Sequence, residues 1–135
     1  GVGVRKTLDT NVLVRALVHD ESRQSEIALA LLGEELVHVP LTVAIETEWV
    51  LRSHFKLDKK TINTLMISYL SRDNVEVEQR ECVENAVLAH KDGWDFSDAL
   101  HVQSAQRGGE FLTFDRKLVR FAAKHGSPVP VRVPR

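Results

Sequence analysis

The sequence is poor in the residues that staple a chain, chelate a structural metal or span a bilayer. Its single cysteine, Cys82, excludes an intramolecular disulfide, and no Cys/His cluster has zinc-ligand spacing. Disulfide scaffolds and zinc fingers are thereby excluded, and a reducing cytoplasm is the expected compartment. No apolar run approaches the ~20 residues of a bilayer span, and the N-terminus lacks the apolar stretch of a signal peptide. A soluble chain without membrane association is expected. Met66 is the only methionine, so Gly1 is not an initiator, and residues 1–3 are set aside as products of processing or expression. Seven glycines and four prolines form no linker or low-complexity tract. Aromatics are 6% of the chain, and Trp49 and Trp94 are expected in or near the core rather than as base-stacking platforms.

What is present is the balance of one folded domain: 135 residues, 43% hydrophobic and 27% charged. A chain of this size buries roughly two-thirds of the surface its unfolded form exposes, enough for a core without staples. One domain over residues 4–135 is expected. The net charge of −1 hides an asymmetry. All 19 acids lie at or before Asp115, and Arg116, Lys117, Arg120, Lys124, Arg132 and Arg135 follow it with no acid among them. An acidic body with a cationic end can hold phosphates at one place and something else at the acids; a solvated helix end accounts for the same charges.

Hydropathy periods alternate between strand and helix. Residues 4–8 read as a strand ending at Asp9, and Thr10 and Asn11 open a helix carrying Val12, Leu13, Ala16 and Leu17. Ser22 begins a second helix that stops at Gly33, and residues 37–39 form the next strand, closed by Pro40. A helix over 42–55, another from the Asp58 cap to about 70, a strand at 75–77 and a helix at 81–90 follow. Asp95 stands at an N-cap position before a helix over 96–106, residues 111–113 are a strand, and Asp115 starts a last helix to about 124. Residues 129–133, with Pro128 and Pro130, suit only an edge strand. Short strands alternating with helices predict an α/β fold of three layers, a short central parallel sheet flanked by helices. Ligands in such sheets bind at the C-terminal strand ends, where Asp9 and Asp115 fall.

Each of these acids has a structural explanation when taken alone. Asp9 and Asp115 suit helix caps, and Asp95 and Asp98 have the spacing of an N-cap and its third helical residue. Capping fits Asp95 better, because Asp98 is already inside the helix. Glu46 and Glu48 are separated by about 200° around a helix axis, so they cannot share one target. Glu48 has Arg52 four residues on and an ordinary ion pair in prospect. Glu46 has Trp49 and Val50 at those offsets, so its carboxylate is expected either to hold a raised pKa or to face a cation. If Asp9, Glu46, Asp98 and Asp115 converge, their repulsion calls for a divalent ion, and oxygen ligands suit Mg2+ or Mn2+. Metal-assisted phosphodiester hydrolysis is the chemistry such a cluster carries.

Four segments, Leu8-Asp9-Thr10-Asn11, Glu46-Thr47-Glu48-Trp49-Val50-Leu51-Arg52, Asp95-Phe96-Ser97-Asp98-Ala99-Leu100-His101 and Leu112-Thr113-Phe114-Asp115-Arg116-Lys117, resemble the successive motifs of PIN-domain proteins. Their order and spacing are similar to those of VapC-type ribonuclease toxins of type II toxin–antitoxin systems, over nearly the whole chain. The resemblance implies that Asp9, Glu46, Asp98 and Asp115 are the catalytic acids and ligate Mg2+ or Mn2+ in an endoribonuclease acting on single-stranded or structured RNA. It implies a VapB-type antitoxin whose C-terminal segment fills the active-site groove. Asn11 and Thr113 match accessory positions, and the extra acids Glu48 and Asp95 leave the choice of ligand partly open, with Asp95 placed among the accessory residues.

Arg116, Lys117 and Arg120 are the candidate RNA-phosphate contacts, if they are not simply solubilising charge. His101, three residues after Asp98, is a possible general base, though a packed histidine is the commoner role for such a position. Cys82 is expected as a core thiol. The apolar helices over 42–70 carry more hydrophobic pattern than a small sheet covers, pointing to a homodimer or antitoxin surface. Two other functions remain open: a catalytically silent PIN-type RNA-binding or regulatory module, and a haloacid-dehalogenase-like phosphatase. The phosphatase mechanism wants a second aspartate where this chain has Asn11.

Overall fold

Valines alternate through two short segments, and each alternation sorts the side chains by face. Val37, Val39, Val75 and Val77 are buried, while His38 and Glu76 between them are partly open. In the computed structural model, which describes residues 5–135, these segments are strands β2 (Val37–Val39) and β3 (Val75–Val77). They pair in parallel with Val37 against Val75 and Val39 against Val77. Strand β1 (Lys6–Thr7) pairs in parallel with the other edge of β2, Lys6 against Val37, giving the order β1-β2-β3. On the exposed face Glu76 reaches both Arg5 and His38, whose Nδ1 lies 2.9 Å from Glu76 Oε1.

Parallel neighbours need crossovers, and every crossover here is helical. Helices α1 (Thr10–Val18) and α2 (Arg23–Glu34) join β1 to β2, and α3 (Leu41–Ser53) and α4 (Lys59–Leu70) join β2 to β3. Helices α5 (Arg80–Lys91) and α6 (Phe96–Ser104), with a 3-10 turn at Ala105–Arg107, lead to β4 (Phe111–Leu112). Helix α7 (Arg116–His125) leads from there to β5 (Val131–Arg132). The helix-rich α/β architecture with a short parallel sheet agrees with the sequence reading. The sheet differs in one respect: β4 and β5 form their own parallel pair, Phe111 against Val131, apart from the three-stranded ladder. Strand β5 is also shorter than residues 129–133, because Pro128 and Pro130 have no N–H to donate; Pro130 contributes only its carbonyl, which accepts from Phe111 N at 2.8 Å. The N-terminal limit expected for the first strand, residue 4, and the reading of residues 1–3 lie outside the described residues.

The core joins Leu13 and Leu17 of α1, Leu32 of α2, Leu51 of α3, Ile62 and Met66 of α4, Val83 of α5 and Phe96 and Leu100 of α6 to the strand valines. Truncating any one of the larger side chains to alanine costs about 2–5 kcal/mol. Five helix starts carry side-chain caps: Asp9, Ser22, Asp58, Asp95 and Asp115 each accept a backbone N–H. Three of these five caps are candidate site residues. Leu8 N donates to His38 O at 3.0 Å and Thr113 N to Arg132 O at 3.0 Å, so each ladder is tied up to the residues preceding Asp9 and Asp115.

Candidate metal and nucleic-acid site

Asp9 follows the end of β1, exposed to solvent, and its Oδ1 accepts from Thr10 N at 2.8 Å. Asn11 is exposed on the first turn of α1. Between them the Thr10 hydroxyl is buried and has no hydrogen-bond partner among the described residues. Asp115 occupies the equivalent place after β4. Its Oδ1 accepts from Leu118 N at 3.1 Å, and its own N–H donates to Thr113 Oγ1 at 3.0 Å. The Thr113 hydroxyl therefore fixes the backbone from which the Asp115 carboxylate projects.

Asp95 and Asp98 meet at the start of α6, where Asp95 Oδ2 accepts from Asp98 N at 3.0 Å. Asp98 is half-buried, and its pKa is raised, first by that burial and then by the negative charges of Asp95 and Asp115, with His101 acting weakly in the opposite direction. The fold thus brings Asp95, Asp98 and Asp115 into one electrostatic neighbourhood. Neither Asp9 nor Glu46 is among the charges that shift Asp98.

Glu46 and Glu48 part as helix geometry requires. Glu48 is 1% exposed and receives Arg52 Nε at 2.9 Å, the i,i+4 pair expected from spacing. Glu46 is open to solvent, so the expectation that apolar neighbours would desolvate its carboxylate is corrected. The reason lies in the buried stripe of α3, which runs Val43, Ala44, Thr47, Glu48 and Leu51 and leaves residues 46 and 49 on the outside. Trp49 is accordingly 57% exposed, against the expectation of a core position, whereas Trp94 is buried. His101, expected as a packed side chain, is exposed with its ring stacked on Phe111 at 6.4 Å. Cys82 is only partly buried, its Sγ 3.8 Å from Gln103 O.

One polar cluster escaped the sequence reading. His90, 2% exposed, places Nδ1 2.6 Å from Asn63 Oδ1 and Nε2 3.9 Å from Glu48 Oε2. Burial and then the charge of Lys59 hold its pKa below the ordinary value, against the opposing pull of Glu48 and Asp95. Helices α3, α4 and α5 are therefore joined by polar contacts under the start of α6. The i,i+4 spacing of Glu48 and Arg52 was the one local signal of this cluster; Asn63 and His90 are remote in sequence and gave none.

Arg116, Lys117 and Arg120 are exposed on the first turns of α7, and none has an ion-pair partner among the described residues. Arg116 and Arg120 are four apart and share a helix face. A cationic face thus begins one residue after Asp115.

The sequence profile of the PIN domain matches residues 6–124, from β1 to the end of α7. The chain belongs to the PIN domain family. No curated protein matches it. PIN domains are typically metal-dependent nucleases acting on RNA or DNA, which sets the phosphatase reading aside. Within this PIN domain the acids offer hard carboxylate oxygens of the kind Mg2+ and Mn2+ prefer, and a cation would relieve the repulsion that adds to burial in raising the Asp98 pKa. As the side chains stand, no three Asp, Glu, His or Cys among the described residues converge closely enough to hold an ion. One carboxylate oxygen of each of Asp9, Asp95 and Asp115 is engaged in capping a helix. The donor chemistry fits a divalent ion. No helix among the described residues is long and apolar enough to cross a membrane.

Proposed function

We propose that this PIN domain is a Mg2+- or Mn2+-dependent endoribonuclease of VapC type, a cytoplasmic toxin neutralised by a VapB-type antitoxin. The observation that carries the reading is the grouping of the half-buried Asp98 with Asp95 and Asp115, whose charges add to burial in raising its pKa, directly before the α7 cations that have no ion-pair partner among the described residues. Asp9, Glu46, Asp98 and Asp115 would hold the ion. When bound, the ion supplies charge stabilisation to the phosphoryl group and the leaving oxygen.

The remaining work belongs to the chain. Arg116, Lys117 and Arg120 hold backbone phosphates on the approach to Asp115. The Thr113 hydroxyl positions Asp115 through its N–H, and Asp95 fixes the start of α6 and so the backbone of Asp98. Asn11, exposed two residues after Asp9, would serve as an accessory residue. Water adds to phosphorus, one P–O ester bond breaks, and the proton lost by the water is balanced by the one gained by the leaving oxygen.

The antitoxin assignment is supported by a cavity of about 440 Å3 between α1 and α2 that begins at Asn11 and continues along Val12, Ile27 and Leu31. A peptide lying there would end at Asn11, two residues from Asp9. A homodimer is supported by exposed Ile67 and Leu88, which border an apolar cavity of about 260 Å3 between α4 and α5.

The test is cleavage of a mixed single-stranded RNA pool by antitoxin-free protein with Mg2+, with Mn2+ and with EDTA, beside Asp98→Asn. Metal-dependent cuts that vanish in the variant are expected. RNA binding without cleavage under any metal, with the fold confirmed, would convert the reading to a silent RNA-binding module.

A further inference from the structure

Four of the five phenylalanines have an aromatic partner: Phe55 meets His54, Phe96 meets His90, Phe111 stacks with His101, and Phe121 packs between Trp94 and His125. Phe114 has none among the described residues and is 81% exposed, more than any other large apolar side chain described. It is not carried on a loose loop. The residue before it, Thr113, donates its N–H to Arg132 O at 3.0 Å, and the residue after it, Asp115, donates to Thr113 Oγ1 at 3.0 Å while capping α7. The backbone is held on both sides, and the ring stands in water.

We propose that Phe114 is a stacking platform for an unpaired nucleobase, which sets the substrate as single-stranded nucleic acid at the position next to Asp115. The inference rests on the nuclease reading and deepens it. Arg116, Lys117 and Arg120, exposed and without an ion-pair partner among the described residues, supply the complementary charge for the phosphates on either side of that base. The size of the apolar step argues for a base over a protein. Leu112, two residues before Phe114, is 48% exposed, and the neighbours Thr113, Asp115, Arg116 and Lys117 are all polar. A stable protein interface needs about 800 Å2 from each partner, which two isolated side chains do not supply; one base face is the matching area. A base inside a duplex has both faces covered by its neighbours and cannot lie on the ring.

The experiment compares wild type with Phe114→Ala, Phe114→Leu and Phe114→Trp, using a short RNA carrying 2-aminopurine, single-stranded and as a duplex. Binding is read in EDTA and cleavage in Mg2+. Phe114→Ala is expected to weaken single-strand binding about 5- to 150-fold, the range for losing one stacked base, with the loss of cleavage carried in KM. Phe114→Trp is expected to restore binding, Phe114→Leu not to, and the duplex to be indifferent to all three. Unchanged single-strand binding in Phe114→Ala, or Leu serving as well as Trp, would overturn the stacking role, and the second result would indicate an apolar contact with the RNA that needs no aromatic face. Wild type that binds and stacks the probe but never cuts it would sink the nuclease reading and leave the platform standing; wild type that binds no RNA would remove both.

Discussion

Asp95 Oδ2 accepts the backbone N–H of Asp98 at 3.0 Å, and the charge of the same carboxylate raises the Asp98 pKa. One residue therefore starts α6 and adds to the repulsion within the acid group. The cap contributes about 1 kcal/mol, while the half-buried Asp98 carboxylate opposes folding at neutral pH because burial and two like charges disfavour its ionised form.

Replacing Asp98 by Asn should therefore separate function from stability. Asp98→Asn is expected to lose about 100-fold or more in cleavage rate, the scale for removing one group that stabilises transition-state charge. It is also expected to raise Tm at pH 7. The sign follows from linkage: a raised carboxyl pKa means the folded state binds the proton more tightly, so stability tied to Asp98 is lost as pH rises and is recovered on acidification. Melting curves at pH 7 and pH 3 should show the advantage of the variant shrinking at the lower pH.

Glu46 and Glu48 should give opposite phenotypes. Glu46, open to solvent, is expected to abolish metal-stimulated cleavage as Gln with stability changed by less than about 0.5 kcal/mol. Glu48→Gln removes the buried partner of Arg52 and is expected to cost about 1–3 kcal/mol with the acids outside it intact. Urea denaturation beside a cleavage assay distinguishes them; an active Glu46→Gln protein with a fully folded, inactive Glu48→Gln protein would reverse the assignment.

His90 should set part of the acid limb of stability. Its folded pKa lies below 6.5, first because of burial and then because of Lys59. The unfolded chain takes up the proton near pH 6.5 and the folded chain only at lower pH, so stability is full above that value and falls as pH drops from there through the folded pKa. His90→Gln is expected to be less stable at pH 7, through a disturbed Asn63 contact, and to show a flatter dependence of Tm on pH between 7 and 5. An equally steep acid limb in the variant would assign the loss to other groups.

Charge removal on α7 should read out as salt dependence. If Arg116, Lys117 and Arg120 contact phosphates, replacing all three by Gln reduces the slope of log affinity against log salt by about 2, at roughly 0.7 per contact for single strands. The effect should be similar across RNA sequences. An unchanged slope would leave these residues as solubilising charge.

What could be read in the sequence was what is local. The alternating valines at 37, 39, 75 and 77 announced two strands, and Asp9, Ser22, Asp58 and Asp95 announced helix starts because a cap acts within one turn. The Glu48–Arg52 pair was legible for the same reason. The exposure of Trp49 was not, since it depends on α3 turning a stripe that includes Thr47 and Glu48 toward the core. Nor was the Asn63–His90 contact, which joins residues on separate helices that only packing brings together. The separate pairing of β4 with β5 depends on where two-residue strands come to rest, and hydropathy does not encode that. The four motifs carried the family, and the spacing already set Asp98 beside Asp95, whereas the approach of Asp115 to them needed the fold.

If Asp9, Glu46, Asp98 and Asp115 hold a divalent metal, each should contribute to its affinity. The direct measurement is Mn2+ binding, by paramagnetic resonance of the free ion, to wild type and to the four single variants Asp9→Asn, Glu46→Gln, Asp98→Asn and Asp115→Asn, each first shown to be folded. Saturable binding by wild type that weakens in every variant is expected. Binding by wild type no tighter than by the four folded variants would contradict it.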